Sequence, residues 1–148
     1  MIQIATGWTD SHLHAFAINH ERYGNAGMFD DWDDGPINGK RVRLNQITAP
    51  CSRFIYQYDF GDSWEHEIKI EKAVTSEAGI KPPYCVAGER ASPPEDCGGV
   101  RGHEEMPETL AGPLCEEQSE LIEWLEVEFD PEQFDLYKIN RNLKHLQK

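Results

Sequence analysis

The chain has 148 residues, and 27 Asp and Glu against 14 Lys and Arg leave it a net charge of −13. Phosphate backbones are gripped by clustered Lys and Arg, so this charge disfavours nucleic acid as a partner across the body of the protein. No apolar run approaches the ~18 residues that a membrane span needs, and the opening MIQIATGWTDSH has neither the basic start nor the apolar core of a secretory signal. A single domain over 1–148 is expected, in the cytoplasm, with no membrane contact and with reduced cysteines. Cys51, Cys85, Cys97 and Cys115 contain no Cys-x-x-Cys pair, which argues against a zinc ribbon.

In chain order, MIQIATGW reads as the end of a helix stopped at Gly7. His12, His14, Phe16 and Ile18 then alternate with Leu13, Ala15 and Ala17, the period of two of a strand. The segment from His20 to Lys40 is rich in Gly, Asn and Asp and reads as an irregular acidic connection. RVRLNQI is a second short strand candidate.

The stretch YQYDFGDSWEHEIKIE predicts a hairpin. Phe54, Tyr56, Tyr58 and Phe60 fall on one face, and Trp64, His66, Ile68 and Ile70 form the matching row. The rows meet if the paired numbers sum to an even value, and a three-residue loop Gly61-Asp62-Ser63 does this by pairing Phe60 with Trp64 and Tyr58 with His66. That register sets Asp59 opposite Glu65, two carboxylates whose repulsion is worth ~1–3 kcal/mol unless they splay into solvent or share a cation or proton.

Pro82, Pro83, Pro93 and Pro94 exclude long regular elements from the next segment, whose Tyr84, Cys85 and Val86 suggest that it is packed down. GHEEMPETLAG then suits a short helix and PLCEEQSELIEWLEVEF a longer one. Asp130 with Pro131 reads as a helix start, and Leu136, Ile139, Leu143 and Leu146 have amphipathic spacing. From Gly102 to Tyr137 there are twelve acidic residues and no basic one, while Lys138–Lys148 holds four basic residues and no acid. The expectation is that the last helix lies close enough to offset Glu116, Glu120 and Glu123 of the acidic one.

His12 and His14, two apart on one strand face, can share a metal. His66 comes from the hairpin, Asp59 and Asp62 from around its turn, and Glu95 and Asp96 from the Pro-rich loop. Such nitrogen and carboxylate groups suit a divalent metal, with His12, His14, His66 and Asp62 as its ligands. The same residues also suit His–acid networks that only support the fold, or acid/base catalysis without metal. Arg90 is placed to pair with Glu95 or Asp59 and lock the loop. Trp8, Trp32, Trp64 and Trp124 read as packing residues.

The segments GWTDSHLHAF, YQYDFGDSWEHEIKIE, GERASPPEDCGG and FDPEQFDLYKIN resemble the plasmid pRiA4b Orf3-like family, whose members are also labelled transposon passenger proteins of TnpR type. The resemblance implies an α+β fold and an association with mobile elements, and it supplies no reaction. It also implies a form lacking the family's N-terminal strand and part of its first helix, because this chain opens inside that helix. Ser92 stands where the family reads Cys, which weakens any role there for a thiolate. The TnpR label suggests a resolvase, but the seven arginines are scattered through an acidic chain and do not concentrate charge around a phosphate.

The expected architecture is α+β, a largely antiparallel sheet with a central hairpin and C-terminal helices packed on one face. The functional reading is an acidic His/Asp/Glu pocket that takes a small molecule or divalent metal, as in a hydrolase. The alternative is a non-catalytic module whose acidic face docks a basic protein.

Overall fold

The structure, a computed structural model, describes residues 1–24, 36–47, 53–75, 79, 81–125 and 129–147. The chain forms two compact units, His12–Val74 and Met1–Ser11 with Thr75–Lys148. The first holds the sheet and the second the longer helices, an α+β fold.

The sheet has five strands: β1 (His14–Ile18), β2 (Glu21–Gly24), β3 (Ile37–Asn38), β4 (Arg53–Tyr58) and β5 (Trp64–Lys69). Their order is β3-β2-β1-β4-β5, and every pairing is antiparallel except the short β2–β3 pair. The alternation read from sequence is the alternation of burial along β4, where Phe54, Tyr56 and Tyr58 are buried. Paired residues share a face, so one aromatic row runs Tyr23, Phe16, Tyr56 and His66 across four strands. The acidic connection is therefore strand at both its ends; its residues 25–35, with Trp32, lie outside the described residues.

The hairpin register differs from the expected one by two residues. Tyr58 opposes Trp64 and Tyr56 opposes His66. The parity holds and the apolar rows still meet, but Asp59 and Phe60 have left the ladder for the turn. Asp59 takes a left-handed backbone (φ 54). Its amide donates to the Leu13 carbonyl (3.0 Å), its carbonyl accepts from the Ser63 amide (2.6 Å), and its Oδ1 accepts from the Gly61 amide (2.9 Å). These bonds close a five-residue turn, Asp59–Ser63. Gln57, not Asp59, therefore faces Glu65, and the expected repulsion between carboxylates does not arise. On the same outer row Glu67 is bridged by Arg53 at 2.7 Å.

RVRLNQI is not a strand. The Asn38 side chain accepts from the Lys40 amide and starts a 3-10 turn, Gly39–Arg41. A four-residue helix follows, α2 (Leu44–Ile47), with Gln46 Oε1 accepting from the Arg43 amide as in half of a capping box.

In the other unit, α1 (Ile2–Thr6) ends at Gly7 with φ 83, as read from sequence. Three more helices follow: α3 (Gly99–Ala111), α4 (Glu116–Leu125) and α5 (Leu136–Leu143). The cap of α5 is Asp135, whose side chain accepts from the Lys138 amide. Asp130 instead opens a turn, closed by the Gln133 amide on its carbonyl (3.1 Å). Pro131 fits the second position of such a turn as well as it fits the first turn of a helix.

In the Pro-rich segment Tyr84 and Val86 are exposed, whereas Pro83, Cys85, Ala91, Pro93 and Pro94 are half-buried, and polar bonds tie the segment down. The Asn140 side chain accepts from the Cys85 amide (2.8 Å) and donates to the Cys85 carbonyl (2.9 Å). Trp8 Nε1 donates to the Pro93 carbonyl, and the Ala91 amide to that of Pro131.

The expected pairing of the last two helices is not seen. α5 packs on α1 and α4 on α3, and among the described residues no ion pair joins α4 to α5. Leu143 is buried and Leu136 and Ile139 are half-buried, but Leu146 is exposed. Of the tryptophans, Trp8 and Trp64 are buried, whereas Trp124 is 42% exposed. Among the described residues no helix is long and apolar enough to cross a membrane.

Candidate functional site

The turn that pulls Asp59 out of the ladder also gives it a histidine. His12 lies two residues before β1, and its Nδ1 is 3.6 Å from Asp59 Oδ2. Asp59 is only 8% exposed, and Oδ1 is held by the Gly61 amide, so Oδ2 is the oxygen that faces the imidazole. Tyr58 fixes the histidine from the other side. Its hydroxyl accepts from the His12 amide (3.3 Å), and the two rings meet edge-on at 5.8 Å. Sequence reading placed Tyr58 only in the apolar row, and nothing in the pattern marked its hydroxyl as an anchor.

His14 and His66 occupy different surroundings. Both flank Tyr56, each with its ring centre 5.8 Å away, inside the aromatic row. Burial lowers the pKa of His66, against the opposing effect of a hydrogen bond with the Tyr56 backbone. The folded state thus favours the neutral ring. As pH falls below the ordinary imidazole value of about 6.5, the unfolded chain takes up a proton that the folded chain resists. The stability from neutral His66 is present above that value and is lost on acidification toward the lowered pKa. Urea midpoints compared between about pH 7.5 and pH 5.5 should fall less for His66→Gln than for the wild type. An equal fall in both would refute this role.

Asp62 sits half-buried in the same turn. The remaining candidates belong to the other unit. Arg90 pairs with Glu132 (3.2 Å) at an exposed position, rather than with Glu95 or Asp59. Glu95 is engaged by Thr9, whose amide and hydroxyl both donate to Oε2 at 2.8 and 2.7 Å. Asp96 is exposed and left-handed (φ 60). Arg90, Ser92 and Glu95 line a groove of about 450 Å³ together with Trp8 and Lys138.

The structure thus brings His12 to Asp59 and places His14 and His66 about Tyr56, on a mixed five-stranded sheet of an α+β protein. The chain belongs to the plasmid pRiA4b ORF-3-like protein family, whose model matches residues 1–138. It is 40% identical over 126 residues to the uncharacterized protein y4hQ of Sinorhizobium fredii, covering 84% of this chain and 63% of that protein. The chain therefore spans slightly less than two thirds of that relative's length. It is also similar to the crystal structure of MM3350, a protein of unknown function from Methanosarcina mazei Go1. The TM-score is 0.77 and the identity 37%, over 91% of this chain and 76% of that one.

Proposed function

We propose that the protein binds a divalent metal, zinc or manganese, through His12 and Asp59, and that the bound cation serves hydrolysis of a small molecule. The observation that carries this is the 3.6 Å between His12 Nδ1 and Asp59 Oδ2. That is long for a hydrogen bond. Two ligands each ~2.1 Å from one tetrahedral cation lie ~3.4 Å apart, which is close to the observed spacing. The Gly61 amide holds Asp59 Oδ1 as outer partners hold metal ligands, while Tyr58 holds the His12 backbone amide and meets its ring edge-on. A cation so held lowers the pKa of its bound water and makes hydroxide available at neutral pH. Two protein ligands hold a metal loosely, so further ligands belong to the proposal, and His14, Asp62 and His66 of the same unit are the side chains to test. The family's plasmid-derived description supports a link to mobile elements.

Calorimetry with Zn²⁺ and Mn²⁺ tests the reading. Wild-type protein should bind one equivalent, and His12→Ala and Asp59→Asn should each weaken binding by about tenfold to a hundredfold. Tyr58→Phe, which keeps the ring and loses the anchor, should fall between. Equal binding by wild type and His12→Ala would overturn the assignment.

A further inference from the structure

The acidic helices of the second unit leave a charge unanswered. Between α3 and α4 runs a groove of about 410 Å³. Its apolar residues are Met106 from α3 and Leu121 and Trp124 from α4, and its acidic ones include Glu105, Glu117 and Glu120. Met106 is buried, Leu121 half-buried and Trp124 42% exposed, so the apolar surface deepens from rim to floor. Glu117, Glu120, Leu121 and Trp124 stand at i, i+3, i+4 and i+7 and form one face of α4. Seven residues of helix extend about 10 Å, the length of two helical turns laid alongside.

We propose that this groove docks a basic amphipathic helix of a partner protein. Its apolar side chains meet Trp124, Leu121 and Met106, and its lysines or arginines meet Glu105, Glu117 and Glu120. Charge selects this occupant. The sequence from Gly102 to Tyr137 carries twelve acids and no base. Among the described residues Arg101 pairs with Glu105 at 2.8 Å and Arg90 with Glu132 at 3.2 Å. The basic end of the chain does not supply the rest, because α5 packs on α1 and makes no ion pair with α4 among the described residues. A second copy would bring a further −13 and the same acidic face. An amphipathic helix laid in a groove is a recurrent recognition mode, with its anchors at i, i+3, i+4 and i+7 matching the spacing found here.

The test uses the full chain and a synthetic helical peptide with leucines on one face and lysines on the other. A peptide of the same composition in scrambled order is the control. Fluorescence anisotropy of the labelled peptides gives the affinities. The amphipathic peptide should bind about tenfold or more tightly than the scrambled one, and its binding should weaken with salt. Trp124→Ala and Glu120→Lys should each weaken it about tenfold, as loss of an anchor does. Glu21→Lys, the same charge change on an exposed strand of the other unit, should leave it unchanged. Equal binding of the two peptides would overturn the proposal. So would equal effects of Glu120→Lys and Glu21→Lys, which would reduce the attraction to net charge, and so would indifference to Trp124→Ala. None of these variants touches His12 or Asp59, so the result stands apart from the metal reading.

Discussion

Tyr56→Ala is expected to cost about 3–5 kcal/mol, the range for removing a large aromatic side chain from a core. Tyr56 has no solvent exposure. Its ring lies 5.0 Å from that of Phe16 on one neighbouring strand and 5.8 Å from His66 on the other. Truncation therefore opens a cavity under three strands at once, and a pleated backbone pinned by ladder bonds on both sides cannot collapse into it. Chemical denaturation measures the loss. Tyr56→Phe, which keeps the ring, should cost much less. A loss below about 1 kcal/mol for the alanine variant would show that the aromatic row is not the support of the sheet.

Gly102→Ala is expected to destabilise by about 3 kcal/mol or more, against the direction of helix propensity. Gly102 lies in α3, where propensity alone predicts that alanine stabilises by about 1 kcal/mol. A Cβ there would stand 1.8 Å from the Cys97 carbonyl oxygen and 2.9 Å from its carbon. Both are backbone atoms and cannot swing aside as a side chain would. The chain reaches this close approach through Gly98 and Gly99, whose φ values of 85 and 68 fold Cys97 back over the first turn. Relieving the clash means unwinding that turn, a cost at or above the upper end for overpacking. A variant as stable as the wild type, by melting temperature or denaturant midpoint, would contradict this packing.

Much of the sheet was legible because its signal is local and repeated. Alternation along β1, β4 and β5 is independent of what the strands pair with, so their faces followed from sequence. The phase of the hairpin did not follow. Parity restricts the register to steps of two, and the choice among those steps was made by Asp59. Its side chain offers the Gly61 amide a bond that a ladder residue would not make. The same ambiguity explains α5. Asp130 and Asp135 both have the chemistry of a cap, and Pro131 suits a turn as well as a helix, so only the packing of α5 on α1 distinguishes them. RVRLNQI alternates well enough for a strand, but Asn38 and Gln46 give its backbone closer partners. Among the candidate site residues, the approach of His12 to Asp59 depends on that turn. The pairing of Arg90 with Glu132 joins residues far apart in the chain, and periodicity carries no information about it.

One side chain stands in for a missing strand. Asn140 meets Cys85 as one peptide group meets another, offering an oxygen to its N–H and an N–H to its oxygen. The Pro-rich segment thereby gains a single rung of ladder from a helix. Asparagine and aspartate have the same outline, yet aspartate would set an oxygen against the Cys85 carbonyl, and the donor half of the rung would turn repulsive. The constraint at this place is therefore one of polarity and not of shape. An exchange that leaves every heavy atom where it was would unlatch a segment whose anchor lies 55 residues away along the chain.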